Sequence, residues 1–210
     1  MNEAMSTSEI LEKLIKSPNA IKIIEAAQSI FEKEKIDRLK FYDLTHENFK
    51  AEFINGEIVL HSPARLRHLV VSTNLTTSLH TYVNEKELGL VGVEKMMIRL
   101  TRNDYEPDIC FFKKERANKF TSDQALFPAP DFVVEILSDS TEKIDRGIKF
   151  IDYAAHGVSE YWIIDPAKKT IEKYLLQQGE YYLEVKLSAE GRLQSTVVDG
   201  FLVELGELFM

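Results

Sequence analysis

The sequence predicts a mixed α/β fold in which antiparallel hairpins accompany one parallel strand–helix–strand unit. Asn55-Gly56 separates two β-like runs, and both positions of such a tight turn require positive φ. Gln178-Gly179 separates a second pair of β-like runs near the end of the chain. Residues 131–165 are predicted to form a strand, a helix and a strand, and a crossover helix of this kind joins parallel strands.

The first strand of this unit contains an acid that needs an explanation. Residues 131–137 (DFVVEIL) are continuously apolar and β-branched around Glu135, which is typical of a strand buried on both faces. A carboxylate in such a strand is costly unless it is paired or binds a metal. Asp139 and Glu142 have capping-box spacing and predict that the following helix begins there. That helix carries apolar residues on one face and Lys149, with other charged residues, on the remaining faces.

The N-terminal part of the chain is predicted to be helical. Apolar residues recur at helical spacing in residues 7–16 and 18–36, and Pro18 is tolerated at a helix start. We therefore assign residues 1–40 to a helical N-terminal extension and residues 41–210 to the main domain.

The middle of the chain supplies the remaining predicted elements. Ser62-Pro63 has the form of a helix start, and the predicted helix runs to about Glu85. The other predictions are a hairpin at 49–61, one or two strands at 89–100, a strand at 106–112, a polar loop at 113–130 and a hairpin at 170–187.

Composition excludes several classes of protein. The 210 residues include 44% hydrophobic positions, enough for a sizeable core, and the net charge of −8 argues against coating nucleic acid through bulk positive charge. The single cysteine, Cys110, is expected to be buried and rules out an intramolecular disulfide or a thiolate zinc cluster. Because no secretory signal or long apolar run is present, we expect a soluble cytoplasmic protein without a membrane partner.

Three acids fall on or near predicted strands, namely Glu52, Asp108 and Glu135, with Lys149 and His68 on helices nearby in sequence. Carboxylates on neighbouring strands can converge on a hard cation such as Mg²⁺. A bound Mg²⁺ polarises a phosphodiester and activates water, and a lysine beside it stabilises developing negative charge. These residue types suit metal-dependent phosphodiester hydrolysis. Structural ion pairs of the acids with arginines or with Lys149 are the competing interpretation.

A series of sequence blocks resembles the Uma2 family, also known as DUF820, whose members are described as putative restriction endonucleases. The blocks occur in the family's order over roughly residues 41–187. They are 51–63 (AEFINGEIVLHSP), 67–68 (RH), 106–108 (EPD), 130–138 (PDFVVEILS), 145–153 (DRGIKFIDY) and 157–166 (GVSEYWIIDP).

The resemblance implies a restriction-endonuclease-like mixed β-sheet flanked by helices, as in the PD-(D/E)XK nuclease superfamily. It implies that Asp108 and Glu135 are catalytic metal ligands and that Glu52 completes the metal site. The superfamily's lysine would stand two residues after Glu135, where this chain has Leu137. The resemblance suggests Lys149 as a migrated catalytic lysine and places His68 where it could approach a phosphate.

The sequence thus predicts a DNA endonuclease that uses Mg²⁺, with Mn²⁺ as a substitute, and acts as a homodimer so that both strands are cut. The alternative is a catalytically inactive nuclease-fold protein that binds DNA or a protein partner, which the leucine at 137 favours. A third interpretation is an interaction module whose acids are all ion-paired.

Overall fold

The computed structural model describes residues 6–44, 50–188 and 190–210. The helices are α1 (Thr7–Lys16), α2 (Ala20–Leu44), α3 (Leu66–Glu85), α4 (Lys114–Ala117), α5 (Glu142–Asp145), α6 (Ile148–Ala155) and α7 (Leu205–Leu208). The strands are β1 (Ala51–Ile54), β2 (Glu57–Leu60), β3 (Gly89–Val93), β4 (Met97–Arg99), β5 (Asp104–Tyr105), β6 (Ile109–Lys113), β7 (Leu126–Phe127), β8 (Phe132–Ile136), β9 (Glu160–Asp165), β10 (Thr170–Gln177), β11 (Glu180–Ser188), β12 (Arg192–Gln194) and β13 (Leu202–Glu204). None of the helices in these residues has the length and apolar character needed to cross a membrane.

The strands form two larger sheets and a small one. The order is β2-β1-β5-β4-β7 in a five-stranded sheet and β11-β10-β9-β8-β6-β3 in a six-stranded sheet, and β12 pairs with β13. In the six-stranded sheet β8 and β9 are parallel and their neighbours are antiparallel. The predicted strand–helix–strand unit and the mixed α/β class are therefore confirmed.

Strand β8 lies between two hydrophobic clusters. Phe132 and Val134 pack into the cluster that contains the buried side of α3, whereas Val133 packs into the cluster that contains Tyr153 of α6. Successive side chains of a strand point to opposite faces. Glu135 therefore shares a face with Val133, and this face is covered by α6.

Both predicted hairpins are present because their turn residues meet the backbone requirement. Asn55, Gly56, Gln178 and Gly179 all have positive φ, between 52° and 88°. The turns join β1 to β2 and β10 to β11 in antiparallel pairs. Residue 49, the predicted start of the first hairpin, lies outside the described residues.

Two predicted helix starts are wrong. Helix α3 begins at Leu66 instead of near Pro63, with Arg65 at its N-cap and no side-chain capping bond. The helix after β8 is not capped by Asp139. It starts at Glu142 as the single turn α5, breaks at Gly147 and resumes as α6. A Cβ atom at Gly147 would lie 2.6 Å from the Lys143 carbonyl oxygen, so the break depends on this close backbone approach.

The first N-terminal helix has the predicted bounds, whereas the second, α2, extends further than predicted. Helix α2 passes residue 40 and ends at Leu44 because its last turns pack on the five-stranded sheet. Arg38 is buried and donates two hydrogen bonds to Asp104, and the ring of Phe41 lies 5.6 Å from that of Phe53. The division of the chain at residue 40 stays a prediction.

The segment predicted as a polar loop at 113–130 contains the short helix α4 and strand β7. The segment is more ordered than the predicted loop because its aromatic residues pack together. The rings of Phe120 and Phe127 lie 5.0 and 6.3 Å from that of Phe112, and β7 pairs in parallel with β4.

Candidate active site

Lys149, in the first turn of α6, lies at the centre of a buried acidic cluster. Its Nζ atom is 2.8 Å from Glu52 Oε1, 3.1 Å from Glu135 Oε1 and 3.2 Å from Asp145 Oδ1. Its side chain is only 2% exposed. Strands β1 and β8 and helix α5 each supply one of the three acids. The hypothesis that Lys149 reaches back to Glu135 therefore agrees with the geometry.

Asp108, the residue just before β6, also belongs to this cluster. Its Oδ2 accepts a hydrogen bond from the backbone N–H of Ile136 at 2.8 Å and lies 3.2 Å from His68 Nε2. Its Oδ1 lies 2.9 Å from Lys50 Nζ. Because Ile136 follows Glu135 directly, the backbone bond holds Asp108 beside the buried strand acid.

Two of the four buried carboxyl groups are held as anions. Burial opposes the ionisation of Asp108, but the hydrogen bond from His68 and the charge of Lys50 outweigh it and hold its pKa well below the usual range. Burial likewise opposes the ionisation of Glu52, but the charge of Lys149 and the nearby His61 lower its pKa to about 2. The backbone N–H of Glu106 also donates to Glu52 Oε1 at 2.9 Å.

The ionised forms of the other two carboxyl groups, Glu135 and Asp145, are disfavoured. Burial raises the pKa of Glu135 well above its ordinary value despite the charge of Lys149, and the neighbouring acids raise it further. Burial also raises the pKa of Asp145, against the opposing charge of Lys149. With all four carboxyl groups ionised, their negative charge would exceed the positive charge of Lys50 and Lys149, and a divalent cation could balance the excess.

The cluster opens into a cavity of about 770 Å³. Asp108, Glu135, Asp145, Lys149, Lys50 and His68 line its interior, together with His61, Glu94, Ile136 and Leu137. The remaining lining residues come from the segment before and at the start of α3 and from the loop after β8, and they are Ser62, Pro63, Ala64, Arg65, Arg67, Ser138, Asp139, Ser140 and Thr141. Four of the five predicted site residues therefore face one cavity.

Glu52 is the predicted site residue that does not line this cavity. Its Oε1 is engaged by Lys149 and by the Glu106 N–H, and its Oε2 lies 3.1 Å from His61 Nε2. This arrangement places Glu52 behind Lys149, in contact with its ammonium group. Its predicted role as a metal ligand stays a prediction.

The carboxylate oxygens that line the cavity are of the chemical kind that Mg²⁺ binds. Asp108 and Glu135 contribute carboxylate oxygens from two adjacent strand segments. Among the described residues no group of three or more His, Cys, Asp and Glu side chains is arranged to enclose a metal by itself. Mg²⁺ does not need such a cage, because it commonly binds through one or two carboxylates and keeps several waters.

Three residues of the site were not predicted as functional from the sequence. Lys50 precedes β1 and pairs with Asp108, and His61 follows β2 and approaches Glu52. No spacing signal identifies either one. Asp145 had a detectable signal, since it stands four residues before Lys149, the spacing at which side chains on a helix meet.

Comparison with known proteins defines the family. A family model for Uma2, described as putative restriction endonuclease, matches residues 38–205, and the chain belongs to this family. The resemblance inferred from the sequence blocks is thereby confirmed.

The chain is also similar to two uncharacterized proteins and to one solved structure. The uncharacterized proteins slr1290 and sll1609 of Synechocystis sp. are 29% and 27% identical over 148 and 144 residues. These alignments cover 69% and 67% of this chain and 76% and 80% of the relatives. The crystal structure of a putative nuclease belonging to DUF820 from Anabaena variabilis matches with a TM-score of 0.68 at 20% identity, over 80% of this chain and 94% of that chain. This likeness shows that the two proteins share a fold.

Proposed function

We propose that the protein is a Mg²⁺-dependent DNA endonuclease whose active site is the cavity lined by Asp108, Glu135 and Lys149. The observation that carries this proposal is the convergence of these residues from separate elements, with Lys149 Nζ 3.1 Å from Glu135 Oε1. Membership of the Uma2 family supports a nuclease.

Asp108 and Glu135 would hold the metal in this proposal. When bound, Mg²⁺ would polarise the phosphodiester and lower the pKa of a bound water, and Mn²⁺ would substitute for it. The charge of a divalent ion would also favour the ionised form of Glu135, whose pKa burial raises. The raised pKa of Glu135 is therefore consistent with a site whose carboxylate ionises when a cation binds beside it.

Lys149 acts as a fixed positive charge in the proposed reaction. Although burial opposes its charge, the carboxylates of Glu135, Glu52 and Asp145 raise its pKa well above the ordinary value. It therefore stays protonated and can stabilise negative charge developing on the phosphate, but it cannot accept a proton. Glu52 acts through Lys149 by holding its ammonium group in place.

His68 is proposed to contact the phosphate while it orients Asp108. Burial opposes its protonation, but the hydrogen bond to Asp108 and the charge of that carboxylate raise its pKa. The protonated ring would donate through Nε2 to Asp108. Its Nδ1 atom is buried without a hydrogen-bond partner among the described residues, so the side chain would have to turn for Nδ1 to donate to a phosphate oxygen.

The direct test is the nicking of supercoiled plasmid with Mg²⁺ or Mn²⁺. We expect activity from the wild type and a loss of at least about a hundredfold in Asp108→Asn and Glu135→Gln, since each removes a metal ligand. Glu180→Gln is the matched control, because Glu180 is an exposed carboxylate on the edge strand β11. Equal nicking by the wild type and both site variants would mean that the activity comes from a contaminant.

A calorimetric titration tests the metal separately from the reaction. The wild type should bind Mg²⁺ and release protons, because burial favours the protonated form of Glu135 and a bound cation favours its ionised form. Asp108→Asn should bind more weakly. Wild-type protein that binds neither Mg²⁺ nor Mn²⁺ at millimolar concentrations would contradict metal dependence.

A nuclease-fold protein that binds DNA or a protein without catalysis is the second candidate function. It is favoured by Leu137, which takes the position of the expected lysine, and by the engagement of Lys149 with three carboxylates. Retained DNA affinity in a gel shift, combined with the absence of both metal binding and nicking, would support this candidate over the nuclease.

We also propose that the active form is a homodimer, which would let two chains with one site each cut both strands of a duplex together. Helices α1 and α2 leave many apolar side chains exposed, among them Ile10, Leu11, Ile15, Ile30 and Phe31. Such a face suits contact with a second copy. Light scattering of the purified protein should give twice the chain mass of 24.1 kDa.

A further inference from the structure

We propose that Arg65 and Arg67 bind the phosphate backbone of the nucleic acid at the mouth of the cavity, and that Asp139 occupies their binding position in the free protein. This inference rests on the proposed function, since it assumes that the cavity receives a nucleic acid. It names the residues that would bring the substrate to the acidic interior.

The three side chains meet across the mouth of the cavity. Arg65 Nη2 lies 2.9 Å from one oxygen of Asp139, and Arg67 Nη2 lies 3.4 Å from the other. Arg65 and Asp139 are 68% and 69% exposed, and Arg67 is 41% exposed. The contact joins two lining segments, the start of α3 and the loop after β8. One carboxylate therefore receives two guanidinium groups, as a phosphate could.

The side chain of Asp139 does not cap the helix that follows it. Its spacing from Glu142 predicts a helix cap, yet α5 begins at Glu142 with Thr141 as its N-cap and no side-chain capping bond. The carboxylate of Asp139 instead points to Arg65 and Arg67. The interaction across the mouth thus replaces the helix cap.

An anionic substrate that enters the acidic cavity would be attracted by cationic side chains at its rim. The lysines that line the interior, Lys50 and Lys149, are both engaged by buried carboxylates. Among the described lining residues, the exposed cationic side chains are Arg65 and Arg67. A phosphodiester that approaches the acidic interior would first meet these two guanidinium groups, which can compensate its charge.

The chemistry favours an exchange of Asp139 for phosphate. Guanidinium groups bind phosphate oxygens through two parallel hydrogen bonds, and this geometry suits phosphate as well as carboxylate. Exposed ion pairs contribute little to stability and are screened by salt. Asp139 can therefore leave the arginines easily, and its carboxylate would act as a weak internal competitor of the substrate.

The test measures binding of a fluorescently labelled DNA duplex by anisotropy in the presence of a chelator, so that cleavage plays no part. We expect Arg65→Ala and Arg67→Ala each to weaken binding about three- to tenfold. The slope of log K against log salt should fall by about 0.9 for each phosphate that the protein no longer neutralises. Asp139→Asn should tighten binding about two- to fivefold.

Glu87→Gln provides the matched control for Asp139→Asn. Glu87 is exposed and pairs with Lys114 at 2.8 Å, away from the cavity, and the substitution changes the net charge by the same amount. We expect it to change affinity by less than about twofold. The tightening should also require the arginines, so Arg65→Ala/Arg67→Ala/Asp139→Asn should bind no better than Arg65→Ala/Arg67→Ala.

Three results would overturn the inference. The first is equal tightening by Asp139→Asn and Glu87→Gln, and the second is a gain from Asp139→Asn that persists without the arginines. The third is the absence of DNA binding by the wild type and by Asp139→Asn alike. Because the assay contains no metal, a failure of plasmid nicking alone would concern the proposed catalysis and leave the binding result valid. Thermal unfolding of each variant confirms that it is folded.

Discussion

Replacing Lys149 by methionine tests whether one buried ammonium group holds the acidic cluster together. The Nζ atom contacts carboxylate oxygens of Glu52, Glu135 and Asp145 within 3.2 Å, and the side chain is almost fully buried. Methionine fills the space with a flexible apolar chain but carries no charge. The variant would leave three buried carboxyl groups without the cation that they share.

We expect Lys149→Met to lose about 3–5 kcal/mol of unfolding free energy at pH 8, which is the usual cost of removing one partner of a buried ion pair. Glu52 would keep the backbone hydrogen bond from Glu106 and its proximity to His61. Glu135 and Asp145 would have to take up protons. Since a domain is typically stable by only about 5–15 kcal/mol, the expected loss is a large fraction of the total.

The stability deficit should shrink as the pH falls. Without the ammonium group, the pKa values of Glu135 and Asp145 in the folded variant rise further above their unfolded values. The folded variant then binds more protons than the unfolded chain, so its stability is greatest at acidic pH and is lost as the pH rises. We therefore expect a smaller difference from the wild type at pH 5.5 than at pH 8.

Urea titrations that follow the fluorescence of Trp162 measure both quantities. Trp162 is the single tryptophan of the chain and is completely buried, so its emission reports unfolding. Lys168→Met is the control, because the Lys168 side chain is 70% exposed although its partner Asp165 is only 9% exposed. It should lose at most about 1 kcal/mol. Wild-type stability of Lys149→Met at pH 8, or a deficit that does not depend on pH, would refute the reasoning.

Two further substitutions test other buried charges. Burial raises the pKa of Glu106 to about 7, so its contribution to stability is fully present below about pH 4.5 and is lost as the pH rises through 7. Glu106→Gln should therefore gain stability relative to the wild type between pH 5 and pH 8 in urea titrations, and a constant difference would contradict the assignment. Arg38→Met should lose about 3–5 kcal/mol because it leaves Asp104 buried without the guanidinium, and Arg38→Met/Asp104→Leu should recover much of this loss. Limited proteolysis of α2 and urea titration measure the effect, and equal damage in the single and double variants would exclude the ion pair as its cause.

Elements with a strong local signal were predicted correctly from the sequence. The Asn55-Gly56 turn was predictable because few other residues adopt the positive φ that both turn positions require. Strand β8 was predictable because a short run of β-branched apolar residues suits a strand covered on both faces. In both cases the physical cause lies within a few residues of the element itself.

The predicted helix boundaries failed where distant residues decide them. Asp139 has the spacing of a helix cap, but it contacts Arg65 and Arg67 from another part of the chain. Helix α2 continues to Leu44 because Arg38 is held by Asp104, 66 residues further along the chain. Local spacing contains no information about either partner.

The candidate site was predictable in its residue types and only partly in its contacts. Burial of Glu135 followed from its strand, and Lys149 followed from comparison with the family blocks. Lys50 and His61 could not be predicted as site residues. Each lies at the end of a hairpin strand and belongs to the site only through its contact with an acid, Asp108 for Lys50 and Glu52 for His61.

The sequence by itself determined that Glu135 would be buried in a strand of a mixed α/β fold, because strand composition is a local property, and the sequence blocks indicated the Uma2 family. Only the tertiary structure decided which of the carboxylates that contact Lys149 also lines the cavity. Glu52 and Glu135 look equivalent in the sequence, yet Glu52 lies behind Lys149 while Glu135 lines the cavity. The difference depends on strand order, which is fixed by pairing between distant segments, and on the break at Gly147 that sets the position of α6.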